Sequence, residues 1–188
     1  MNAFEDIVKL YLEEKGYWVR QSVKVGISGD DKKALKLSTM PRPEIDLVAL
    51  NMKENELLLV EVKSFLDSQG VYFDDVIGSE GVESWGAKRY RLFAISKFRE
   101  VVTERLKEEF LEKGLINKKT KINYALAAGN IHSPADESKI REYFSKPERG
   151  WKLFTPQQIK EKIRALAEKG WEDNLVTITA KLILRDEK

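Results

Sequence analysis

Residues 43–64 read PEIDLVALNMKENELLLVEVKS, two apolar runs around a polar turn with charges at their outer ends. The Leu, Val and Ile content predicts strands over 44–51 and 56–63, separated by Met52-Lys53-Glu54-Asn55. With Lys53 and Glu54 as the central turn residues, Asp46 falls opposite Glu61 and Glu44 opposite Lys63. A turn centred one residue away shifts that pairing, and no Asn-Gly signal fixes it. Side chains alternate faces along a strand, so all four charges project from one face at one end. Ile45, Leu47 and Ala49 meet Leu58, Val60 and Val62 on the other face, and Val48 and Leu50 meet Leu57 and Leu59 behind the charges. A strand pair apolar on both faces belongs in the middle of a covered sheet.

Charged ends on such a hairpin need a chemical reason. Opposed side chains stand about 4.5–5.5 Å apart at Cβ, and two carboxylates so placed repel, more strongly when buried. A divalent cation between them reverses the sign. Mg²⁺ takes oxygen ligands, commonly one or two carboxylates with water and substrate phosphate. Lys63 can offset the negative charge or orient a water. Cation, phosphate and activated water are the equipment of phosphodiester hydrolysis. The competing reading leaves Asp46 and Glu61 as strand-end residues in ion pairs with Arg42 and Lys63.

Asp46, with Glu61-Val62-Lys63 fifteen positions on, resembles the signature of the PD-(D/E)xK nuclease superfamily. Restriction endonucleases, Holliday junction resolvases and many DNA repair nucleases belong to it. The opening FEDIVKLYLEEKGYWVR is similar to the archaeal junction-resolvase and Mrr-type pattern. The resemblance implies a restriction endonuclease-like α/β fold, a mixed central sheet flanked by helices in the core order αβββαβ. It implies that Asp46 and Glu61 hold Mg²⁺, for which Mn²⁺ substitutes, with the Val62 carbonyl as a further ligand. Lys63 would position or activate the attacking water. Glu5 matches an acid that several members carry on the first helix, and it lies on the same side of that helix as Leu12. Alternatively, Glu5 is a first-turn acid favoured by the helix dipole. In this chain Pro43 precedes Glu44 and not Asp46, which leaves Glu44 as a rival first ligand.

Around this core, helical spacing of Phe4, Ile7, Val8 and Tyr11 predicts a helix over 3–15, and alternation predicts a strand over 17–25. Residues 26–42 read as a long loop and 64–86 as irregular. A long helix is expected over 87–113, with Ala94, Phe98, Val101, Val102 and Leu106 as its stripe and Gly114 as its cap. A strand over 121–128 follows. Ser133-Pro134 and Thr155-Pro156 mark capped helix starts, and Leu175–Leu184 reads as a final strand with Thr177, Thr179 and Lys181 on a solvated face. The expectation is a single domain over 1–188, with its core at about 3–130 and a helix-helix-strand extension at about 131–188.

The 188 residues contain no cysteine, so disulfides and thiolate metal sites are excluded. Thirty-three basic and 31 acidic residues leave a net charge of +2, so any nucleic-acid surface must come from local clustering. A charged fraction of 34 % leans towards a heat-stable protein. Neither a signal peptide nor a membrane-spanning run is present, and a cytoplasmic protein is expected. Lys88, Arg89, Arg91, Lys97 and Arg99, with Trp85 and Tyr90, offer one phosphate-tracking and base-stacking surface or a solvated helix face. Lys32, Lys33, Lys36 and Arg42 offer another or belong to a plain loop. Gln69 is a further polar candidate near the site, and the lone His132 reads as structural. Neither a Walker loop nor a dinucleotide fingerprint is encoded. The expectation is a metal-dependent DNA endonuclease acting on duplex or branched DNA, with homodimerisation implied by the resemblance. RNA processing and a catalytically silent nucleic-acid-binding or assembly module are the alternatives.

Overall fold

The computed structural model describes residues 3–35, 42–78, 89–170 and 174–184. The hairpin stands at the centre, as its two apolar faces require. Strands β2 (Glu44–Asn51) and β3 (Glu56–Lys63) pair antiparallel, Leu47 with Val60 and Leu50 with Leu57. That is the register set by a Lys53-Glu54 turn centre, and Asn55 closes the turn at φ +49°. β1 (Trp18–Lys24) joins the outer side of β2 antiparallel, while β4 (Lys121–Ala128) and β5 (Lys152–Phe154) follow β3 in parallel. The result is an open, mixed five-stranded sheet in the order β1-β2-β3-β4-β5.

Leu57, Leu58, Leu59 and Val60 of β3 are wholly buried, because helices cover both faces. Helix α1 (Ala3–Glu13) places Phe4, Val8, Tyr11 and Leu12 against Leu47, Ala49, Leu58 and Val60. The other face receives α4 (Arg91–Ala94) and α5 (Ser96–Glu112), whose Phe98, Val102, Leu106 and Phe110 recur every four residues and pack over Val48, Leu57 and Leu59. α6 (Pro134–Ser145) adds Ile140 and Phe144 to that layer, and α7 (Pro156–Ala167) adds Ile159 to the first. The expected caps are present. Ser133 Oγ accepts from Asp136 N–H, and Thr155 and Gln158 form a reciprocal capping box.

Four expectations are corrected. Leu175–Leu184 is a helix, α8, and not a strand. The Asn174 side chain accepts the Thr177 N–H at 2.8 Å, and Thr177 and Ala180 are buried one helical turn apart. Capping and packing there override the β-branched composition. The fifth strand is instead the short Lys152–Phe154 run, so the extension reads helix, strand, helix, helix. The expected 87–113 helix is broken at Ile95, which is extended, with its first residues outside the described ones. The 26–42 loop contains α2 (Gly29–Ala34), capped by a Ser28–Asp31 box, and the 64–86 stretch contains α3 (Phe73–Ile77). No described helix is long and apolar enough to cross a membrane.

Gly129 ends β4 where the chain leaves the sheet. A Cβ there would lie 2.3 Å from the Ser64 carbonyl oxygen and 3.0 Å from the Phe4 ring. The backbone itself must move to admit it, so Gly129→Ala should lower stability by about 1–3 kcal/mol. Urea denaturation reads this directly, and an unchanged midpoint would refute the tight contact.

Candidate active site

The sheet ladder opens at one residue, Asp46. Pairing of β2 with β3 runs only as far as Leu47 and Val60, and the β1 ladder skips the Ser22–Asp46 position. In place of a backbone partner, Asp46 Oδ2 accepts the Val62 N–H at 2.7 Å. A strand residue's N–H and C=O face the same edge, so the Val62 carbonyl also lies on the Asp46 side. Ser22 sits at φ +51° and Phe65, just past Lys63, at φ +43°. Non-glycine residues rarely adopt such angles, and they collect where a structure holds a site in place.

Glu61 follows the last paired residue of β3, Val60, and its carboxyl lies within reach of the Asp46 charge. Its side chain is 17 % exposed and that of Lys63 19 %. Lys63 Nζ donates to Glu61 Oε1 at 2.5 Å and lies 5.7 Å from the centre of the Tyr90 ring. Burial pushes the Glu61 carboxyl up, to about 7, with Lys63 opposing and Asp46 reinforcing the shift. Burial also raises Asp46, against the Val62 N–H and the Lys63 charge, and Glu44 adds to the rise. Arg91 on α4 acts on Glu61 in the same direction as Lys63. Two carboxyl groups therefore share one enclosed corner with a deficit of positive charge.

Glu44 is exposed at the start of β2, whereas Asp46 is half-buried beside Glu61. Glu5 lies next to Phe4, whose ring packs beside Gly129 at this end of the sheet, so the first turn of α1 reaches the same end from the opposite layer. Among the described residues, no group of three or more His, Cys, Asp or Glu stands close enough to hold a metal ion. The protein donors available in this corner are thus Asp46, Glu61 and the Val62 carbonyl.

Other candidates take different roles. Tyr90 is fully buried and offers no face to a base. Arg99 donates to the Leu92 and Phe93 carbonyls and stacks 4.8 Å from the Trp151 ring, a structural role. Lys97 pairs with Glu100, and Lys33 with Asp30. Gln69 accepts a hydrogen bond from Tyr72, whose ring stacks on His132 at 4.0 Å. Lys36, Trp85 and Lys88 lie outside the described residues. Sequence reasoning passed over the exposed residues of β1, although the alternation of Arg20, Ser22 and Lys24 with valines was visible.

A carboxyl raised by burial is protonated in the folded chain at a pH where the unfolded chain is ionised. Folding stability supplied by that proton is present below the ordinary carboxylate range and lost as pH rises through about 7. Glu61→Gln should therefore melt higher than the parent at pH 8 without metal, and the gap should close at pH 5. Mn²⁺ should raise the parent's melting temperature at pH 8 and leave the variant's unchanged. Equal pH profiles for the two proteins would contradict this electrostatic picture.

Proposed function

Comparison with protein-family models, with curated proteins and with solved structures returned no match. We propose that the chain is a metal-dependent nuclease of the PD-(D/E)xK type, hydrolysing phosphodiester bonds in DNA. One observation carries the reading. Asp46 and Glu61 are enclosed together at a break in the sheet, both raised by burial, with Lys63 as the cation in contact. Burying like charges without compensation is costly, and a structure gains by replacing such a pair with apolar residues. The pair makes physical sense when a cation joins it.

The donor set fits Mg²⁺. Asp46 keeps Oδ1 beyond its bond to Val62 N–H, Glu61 supplies a second carboxylate, and the Val62 carbonyl lies on the same edge. Hard cations of this kind complete their shell with water and substrate phosphate, so a three-acid cluster is not required. Bound there, the ion would neutralise charge on the scissile phosphate and acidify water. Lys63 has a separate task. Its ammonium rests on Glu61, and from there it would hold the attacking water. The water oxygen would bond to phosphorus as the water gives up a proton to solvent, the bond to the leaving oxygen would break, and that oxygen would take up a proton. The first turn of α1 lies at this end of the sheet, and Glu5 on it would support the corner from the other layer. The mixed five-stranded sheet and the αβββαβ order of its main elements are in keeping with a restriction endonuclease-like fold.

The test is cleavage of supercoiled plasmid, linear duplex, single strands, a four-way junction and structured RNA with Mg²⁺, Mn²⁺ or EDTA. Metal-dependent cutting is expected, reduced at least about 100-fold by Glu61→Ala and by Lys63→Ala. No cutting of any substrate would favour a silent nucleic-acid-binding module, and cutting of RNA alone would redirect the reading to RNA processing.

A further inference from the structure

We propose that the exposed face of β1 is a track for one unpaired strand of nucleic acid, leading to the Asp46–Glu61 corner. The proposal rests on the nuclease reading and names how its substrate is held. Among the described residues β1 is an edge strand, bonded only to β2. Along it Val19 and Val23 are buried while Trp18, Arg20, Ser22 and Lys24 are exposed. The register sets Trp18 beside Leu50, Arg20 beside Val48 and Lys24 beside Glu44. Ser22 falls between, at the level of Asp46. Opposed residues of an antiparallel pair share a face, and Val48 packs in the same layer as Leu57 and Leu59, so Trp18 and Arg20 stand on the face that carries Glu61, while the left-handed Ser22 reverses the strand and turns Lys24 to the other face.

The spacing suits an extended polymer. Alternate residues on a strand are about 7 Å apart, so Arg20 stands about 7 Å and Trp18 about 14 Å along the strand from the level of the carboxyls. Trp18 is 55 % exposed, a large indole face left to solvent on a rigid strand. Among the described residues, neither Arg20 nor Lys24 enters an ion pair, whereas Lys33, Lys97, Arg105, Lys113, Arg141 and Lys152 each meet an acid. Glu44 is exposed opposite Lys24, so these two charges offset each other and Arg20 is the cation that faces a phosphate.

Lysine and arginine on an edge strand also serve to keep other strands from pairing there. An exposed tryptophan works against that purpose, since it makes the edge more adhesive. Tryptophan with arginine on one line fits the stacking platform and charged groove of single-strand binders. Stacking on Trp18 needs an unpaired base, which selects single strands, frayed ends or branch points over continuous duplex.

The experiment measures anisotropy of a labelled single-stranded oligonucleotide, and of its duplex, against parent, Trp18→Ala, Trp18→Phe and Arg20→Ala. EDTA is present throughout, and cleavage of the same oligonucleotides with Mg²⁺ is measured separately. Trp18→Ala should weaken single-strand binding about tenfold and duplex binding less, and Trp18→Phe should recover most of the loss. Arg20→Ala should lower the slope of log affinity against log salt by about 0.7. Both side chains replaced are exposed, and melting curves matching the parent's would exclude a folding effect. Variants with parental affinity and salt slope, beside a parent that cuts, would overturn the track and leave the nuclease reading standing. A parent that neither binds nor cuts would overturn both.

Discussion

Strand β3 carries a glutamate at each end, and the protein treats them in opposite ways. Glu56 receives the Tyr17 hydroxyl at 2.7 Å, Lys152 Nζ at 2.5 Å and Asn123 Nδ2 at 3.3 Å. Burial raises its carboxyl, but these donors outweigh burial and hold it below the ordinary range. Glu61 has the Lys63 bond and the more distant Arg91 charge, beside a second carboxyl, and burial leaves it raised. One end of the strand is electrostatically complete and the other is short of positive charge. That imbalance cannot be relieved by solvent, because the four residues between the ends need helices on both faces to stay buried.

The surrounding elements follow from holding β3 in this way. β4 runs parallel to it and ends in Ala127, Ala128 and Gly129, small residues beside Val62 and Lys63. They let Ser64 and Phe4 approach closely, which draws the first turn of α1 to the charged end. β2 gives up its regular ladder at Asp46 so that a side chain, not a carbonyl, receives the Val62 N–H. The left-handed angles of Ser22 and Phe65 lie on either side of that break. Local regularity yields where the charges meet, and it holds elsewhere along the pair.

The hairpin was legible from its two apolar runs and the four-residue turn between them, and its register followed once Lys53 and Glu54 were taken as the turn centre. The charged end could be read for the same reason, since a fixed register carries the positions of Asp46, Glu61 and Lys63 with it. Helix starts at Ser133 and Thr155 were legible from side chains that bond their own backbone. Leu175–Leu184 misled because its β-branched residues alternate, while the deciding facts were the Asn174 cap and neighbours distant in sequence. The three-residue β5 is too short for any period to show, and only its place beside β4 makes it a strand. Tyr90 looked available for stacking, but burial of a lone aromatic depends on the layers around it. The environment that raises Glu61 was likewise out of reach, because desolvation belongs to the packed molecule and not to the motif.

The central claim is that Asp46 and Glu61 together hold one divalent cation. Calorimetric titration of Mn²⁺ at pH 8 into the parent, Asp46→Asn and Glu61→Gln measures this without any substrate. The account predicts one site in the parent, weakened at least about tenfold by either substitution. Absence of binding in the parent, or binding that survives both substitutions, would contradict it.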